Sequence, residues 1–159
     1  MGITDHITTD NVILDLGVGN KRDLLNVLAS KAAERLEYSE QEILKALQDR
    51  ERLGSTALGR GVALPHARLA GDNPPVILFI RLLRPIDYEA KDEEPVDLVI
   101  LVLWPEASPE GFLPALSEIC RALREPQALR QLRGAASVKE VISLLHRHGK
   151  ELDSLPGGE

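Results

Sequence analysis

The chain has 159 residues, which fits one domain with a two- or three-layer core. Its 19 Lys and Arg against 25 Asp and Glu give a net charge of −6, which argues against a nucleic-acid binder driven by phosphate neutralisation and leaves room for a small anion held by arginine. The one cysteine, Cys120, excludes an intramolecular disulfide framework and suits a reducing cytosol.

From the N-terminus, Met1 to Asp10 has no apolar core behind a basic start, so no secretory leader is expected. Val12 to Leu16 reads as a short strand. Asn20 is an N-cap candidate with Asp23 in the first turn, and Leu24, Leu25, Leu28, Ala32 and Leu36 follow at helical spacing. Ser39 with Glu42 forms a capping-box pattern that opens a second helix. Ile43, Leu44 and Leu47 give that helix its apolar stripe, and it should end between Arg52 and Gly54.

The middle of the chain is strand-like. Val62–Leu64, Val76–Leu83 and Val96–Trp104 are β-branched or Leu-rich runs bounded by turn residues. None approaches the roughly 18 apolar residues of a membrane span. Between the last two lies a polar, proline-punctuated excursion with a short strand expected at Ile86–Tyr88. The C-terminal third is helical again. Phe112, Leu113, Leu116, Ile119, Cys120 and Leu123 share one stripe. Pro126 opens a further helix that Gly134 closes, and Ser137 to Glu140 caps a last helix running to about Gly149. This order predicts an α/β fold, a mixed sheet with helices on both faces. A single domain is expected over 1–150, with a frayed Gly/Pro-rich tail at 151–159.

The densest signal is Gly54-Ser55-Thr56-Ala57-Leu58-Gly59-Arg60-Gly61-Val62-Ala63-Leu64-Pro65-His66-Ala67-Arg68. Pro65 cannot donate to a sheet ladder, so His66 is expected at the end of a strand, presented on a rigid scaffold. Imidazole can serve there as base, nucleophile or ligand. Gly59 and Gly61 carry no Cβ and would let the preceding loop approach a ligand closely.

The run Arg50-Glu51-Arg52-Leu53-Gly54-Ser55-Thr56, continuing to Pro65-His66, resembles the enzyme IIA family of the bacterial phosphoenolpyruvate-dependent phosphotransferase system. The similarity is to the fructose/mannitol type and, within it, the nitrogen-regulatory subgroup. Arg84-Pro85-Ile86-Asp87-Tyr88-Glu89-Ala90, Pro95-Val96-Asp97-Leu98-Val99 and Leu129-Arg130-Gln131-Leu132-Arg133 resemble further segments of that family in the same order. The resemblance implies a phosphohistidine at His66, loaded by a phosphorylated HPr-type carrier. It implies Arg50 as the neutralising cation and Ser55 and Thr56 as hydrogen-bond donors to the phosphoryl group. It also implies a cytoplasmic phosphotransferase component without cofactor, metal, nucleic acid or membrane insertion, whose phosphorylation state regulates partner proteins. It leaves a homodimer open.

One departure stands out. Where the family carries a second histidine opening the helix after the Pro95–Val99 strand, this chain has Phe112. A phenyl ring packs against a site and excludes water, but donates no hydrogen bond. Two alternatives follow. The chain could be a binding module that keeps the fold without the chemistry, or a IIA subunit for a specific sugar. In the regulatory phosphotransfer role or the binding-module role, a ring of Leu53, Leu58 and Phe112, with Arg60 and Arg68 at its rim, is the expected docking surface.

Other features carry less. His146 and His148 lie two apart, which on a helix points them to different faces, and His6 lies in the N-terminal segment. Gly17-Val18-Gly19 and Gly59-Arg60-Gly61 lack the third glycine of a dinucleotide fingerprint. Trp104 and Cys120 read as core or rim, and Asp92–Glu94 as a solvated loop.

Overall fold

A computed structural model describes residues 7–153, with side chains through Arg147. His6 and the tail from Ser154 lie outside the described residues, as does the side chain of His148. The strands are β1 (Val12–Leu16), β2 (Ala57–Gly59), β3 (Val62–Ala63), β4 (His66–Leu69), β5 (Val76–Ile86) and β6 (Val96–Pro105). The helices are α1 (Lys21–Ala33), α2 (Glu40–Arg52), α3 (Phe112–Ala122), α4 (Pro126–Gly134) and α5 (Val138–Asp153).

Local signals place the helix starts. The Asn20 side chain accepts from the Asp23 N–H at 2.8 Å, and Ser39 Oγ from the Glu42 N–H at 3.1 Å. Ser137 Oγ accepts from the Glu140 N–H at 3.2 Å, while the Glu140 carboxylate reaches back to the Ala136 N–H at 2.8 Å. Each cap satisfies donors that the first helical turn leaves open.

The sheet is mixed, in the order β1-β5-β6-β3-β2, with β4 also pairing along β6. β5 and β6 are antiparallel, as are β2 and β3, whereas β1 runs parallel to β5, and β3 and β4 run parallel to β6. Both faces are covered. Leu78 and Ile80 of β5 and Val99, Leu101 and Leu103 of β6 pack with α1 and α2. Ile77 and Phe79, with Leu98, Ile100 and Val102, pack with α3, α4 and α5. The alternation is the period of a pleated strand buried on both sides. Burying each of these side chains contributes about 1.5–3 kcal/mol.

Several expectations need correction. Val62–Leu64 is followed by a separate strand, so His66 opens β4 rather than closing the strand before it. No strand forms at Ile86–Tyr88, because β5 itself continues through Pro85 to Ile86, which pairs with Val96. Tyr88 lies beyond β5 and is fully buried. Leu36 is buried but follows the end of α1, and Leu113 leaves the α3 stripe and stands 71% exposed. Arg60 and Gly61 both have positive φ (58° and 81°), the geometry of a tight two-residue hairpin between β2 and β3. That loop meets protein rather than ligand. A Cβ at Gly59 would touch the Asp92 carboxylate, and one at Gly61 the Arg133 guanidinium.

Candidate functional site

Strand β4 alternates. Ala67 and Leu69 enter the α1–α2 core, so His66 and Arg68 face the α3 side of the sheet. His66 Nδ1 lies 2.7 Å from the Leu64 carbonyl oxygen. That oxygen only accepts, so Nδ1 carries the proton and Nε2 keeps its lone pair. Nε2 in turn accepts from Arg50 Nε at 3.1 Å.

Arg50 comes from the last turn of α2, where a cation complements the helix dipole. Its Nη1 donates to the Gly54 carbonyl at 3.0 Å, which fixes the guanidinium plane. Gly54 has a φ of 144°, a conformation that favours glycine and turns its carbonyl back toward the helix end.

The next residue, Glu51, points elsewhere. Its carboxylate accepts from the Thr56 N–H at 3.1 Å, from the Tyr88 hydroxyl at 3.1 Å and from the Thr56 hydroxyl. Lys21 Nζ pairs with it at 2.9 Å, the two side chains being 13% and 7% exposed, and lies 4.5 Å from the centre of the Tyr88 ring. A buried carboxylate is tolerated only with such a full set of donors. Desolvation, then the nearby Glu51 charge, pushes the Tyr88 phenol far above its ordinary value, so it stays a donor.

Burial is the main influence on His66 and lowers its pKa below the ordinary 6.5, with the Arg50 charge adding to it. The Leu64 carbonyl and the Glu51 carboxylate oppose the shift and lose. The imidazole is therefore neutral, and its Nε2 nucleophilic, through the neutral pH range. The sign for stability follows. Folding disfavours the imidazolium, so the stabilisation is complete above the unfolded value and is lost as pH falls through the lower folded one. An NMR titration of the His66 ring should show a midpoint below 6.5 that rises in Arg50→Gln. A midpoint above 6.5 would contradict this electrostatic account.

In front of the ring lies an open hollow bordered by Arg50, Leu53, Arg68, Glu106, Phe112 and Leu113. The Phe112 ring is tilted against the imidazole with centroids 5.9 Å apart, and Trp104 lies behind Phe112 at 6.2 Å. Leu53 and Leu113 are 85% and 71% exposed at its rim. Of the expected docking ring, Leu53, Phe112 and Arg68 stand here. Leu58 and Arg60 do not, since they border a separate hollow with Cys120, Leu123 and Arg124.

The structure thus brings His66, Arg50 and Phe112 together. Ser55 and Thr56 do not border the hollow. Ser55 Oγ donates to the Tyr88 carbonyl at 3.1 Å and Thr56, 4% exposed, gives its hydroxyl proton to Glu51. Sequence reasoning missed the Glu51–Lys21–Tyr88 cluster, whose members come from three segments. The buried tyrosine beyond β5 is visible only as an aromatic in a polar run. Among the described residues no group of three or more His, Cys, Asp or Glu is placed to hold a metal, and no helix is long and apolar enough to cross a membrane.

Comparison with known proteins puts this site in a family. Residues 5–148 match the model for "Phosphoenolpyruvate-dependent sugar phosphotransferase system, EIIA 2". The chain is 41% identical over 145 residues to a nitrogen regulatory protein of Bradyrhizobium diazoefficiens, covering 91% of this chain and 95% of that one. Its fold is similar to the crystal structure of nitrogen regulatory protein IIA-Ntr from Neisseria meningitidis, with a TM-score of 0.84, 32% identity and coverage of 90% and 98%. It also shares the fold of the mannitol IIA enzyme of Escherichia coli, seen in complex with phosphorylated mannitol IIB, at a TM-score of 0.72, 19% identity and coverage of 89% and 97%. With the family model spanning nearly the whole chain, and the mixed sheet and His66 hollow in place, the protein belongs to the EIIA type 2 family of the phosphoenolpyruvate-dependent phosphotransferase system.

Proposed function

We propose that this chain is a regulatory phosphotransfer protein whose His66 Nε2 accepts a phosphoryl group from a phosphorylated HPr-type carrier, and whose phosphorylation state controls its binding to partner proteins. The observation that carries this reading is the fixed tautomer. Leu64 holds the proton on Nδ1, leaving Nε2 as the nucleophile at the hollow. In the transfer a P–N bond forms at Nε2 as the bond to the carrier breaks, and its electron pair leaves with the carrier. No proton needs to move, since Nδ1 keeps its own. In the resting site Arg50 Nε donates to the same lone pair. It must therefore turn from Nε2 to the phosphoryl oxygens as the donor arrives, where it neutralises developing charge. The work is assigned to one domain over 1–150, in the cytoplasm, in line with the unpaired Cys120. The regulatory role draws on the names of the similar nitrogen regulatory proteins.

The test is direct. Purified protein incubated with phosphoenolpyruvate, enzyme I and its host's HPr-type carrier should gain one acid-labile phosphoryl group by intact mass. His66→Ala should gain none while remaining folded. Labelling of His66→Ala would refute the assignment. A second reading is favoured by Phe112, which offers the imidazole an apolar wall and no donor. It makes the chain a phosphorylation-independent binding module, and a wild-type protein that stays unlabelled would support it.

A further inference from the structure

The hollow holds a second guanidinium. Arg68 follows His66 by two residues on β4, so both side chains leave the same face of the strand. The register with β6 sets His66 beside Val102 and Arg68 beside Trp104, and both of these β6 residues belong to the α3 side. Arg68 borders the hollow together with His66, Arg50 and Phe112. It is exposed, and its side chain makes no hydrogen bond or ion pair among the described residues.

The local charge balance calls for such a group. A phosphoryl group brings roughly −1.5 to −2 charges and three acceptor oxygens. Arg50 supplies one guanidinium, with Nη1 already engaged by Gly54. Phe112 supplies no donor, and the Ser55 and Thr56 hydroxyls donate to Tyr88 and Glu51. Asp49, Glu106 and Glu110 also border the hollow and would repel the incoming charge. Asp49 is itself engaged by Lys45 and Arg52.

We propose that Arg68 is a catalytic residue of the phosphoryl transfer, its guanidinium closing on the phosphoryl oxygens at His66 Nε2 from the side opposite Arg50. This rests on His66 being the acceptor. Arg68 donates hydrogen bonds only, so the bonds made and broken are those of the transfer itself and no proton changes hands. The planar fork suits two phosphoryl oxygens at once, which a lysine ammonium matches less well.

The experiment times His66 labelling with two donors, the phosphorylated carrier and phosphoramidate, a small molecule that needs no docking surface. Arg68→Ala is expected to slow labelling from both by about tenfold or more, with Arg68→Lys recovering part of the loss. The 31P resonance of the phosphohistidine should also move in Arg68→Ala. Unchanged phosphoramidate rates and 31P shift, with only the carrier's KM raised, would overturn the inference and make Arg68 a docking residue. Wild-type protein that neither donor labels would instead refute the His66 assignment on which the inference stands. Arg68→Gln serves as the second variant, and circular dichroism checks that both keep the fold.

Discussion

Arg50→Ala should slow phosphoryl uptake from the carrier by about 10²- to 10³-fold, or 2.7–4 kcal/mol of transition-state stabilisation, with little loss of folding stability. Among the described residues Arg50 is the one cation already oriented on His66 Nε2, the proposed nucleophile, at 3.1 Å, and held in plane by Gly54. It sits in the final turn of α2, whose buried stripe of Ile43 and Leu47 does not include it. The loss should appear mainly in the rate at saturating carrier rather than in KM, because the contact strengthens only as charge develops on the phosphoryl group. Arg50→Lys should restore a minor part, since an ammonium cannot span both Gly54 and the phosphoryl oxygens. Time courses of intact mass would decide. A rate within about twofold of wild type would remove Arg50 from the mechanism.

Glu51→Leu is the substitution expected to hurt the fold most at this end of the molecule, by about 3–5 kcal/mol in urea denaturation. It strands the Lys21 ammonium in a site where that side chain is only 13% exposed. It also removes the acceptor of the Thr56 N–H, the Thr56 hydroxyl and the Tyr88 hydroxyl. Tyr88→Phe deletes one of those donors and should cost only about 0.5–1.5 kcal/mol. Pairing Glu51→Leu with Lys21→Met should recover much of the loss, because the buried charge then disappears with its partner. A double variant no more stable than Glu51→Leu alone would show that the hydrogen bonds to Thr56 and Tyr88, not the ion pair, hold this region.

What the sequence made legible is what local rules decide. The caps at Asn20, Ser39 and Ser137 act within three residues of their partners, and each is in place. The long apolar runs of β5 and β6 could hardly be anything but buried strands. The short strand β4 is hidden behind Pro65, although its polar–apolar alternation, His-Ala-Arg-Leu, is the period-two signal of an element with one face on the core and one on a site. Leu113 shows the reverse error. Helical spacing alone placed it on the buried stripe, whereas α3 turns it to the rim of the hollow. The pairing of His66 with Arg50 followed from family resemblance, since sixteen residues of chain separate them. Nothing local could have joined Glu51 to Lys21 and Tyr88, because a buried ion's partners are chosen by the packing of distant segments. The same packing turns the Ser55 and Thr56 hydroxyls toward Tyr88 and Glu51.

The row of rings from His66 through Phe112 to Trp104 has a practical consequence. Trp104 is the only tryptophan in the chain, and its indole N–H is tied to the Ser108 carbonyl at 2.8 Å. The protein therefore carries one indole fluorophore, a single ring away from the imidazole. Charge arriving at that imidazole, or a carrier closing over it, alters the polarity and rigidity around the indole. Its emission offers an unlabelled optical record of the site, readable in stopped flow on the timescale of the proposed transfer.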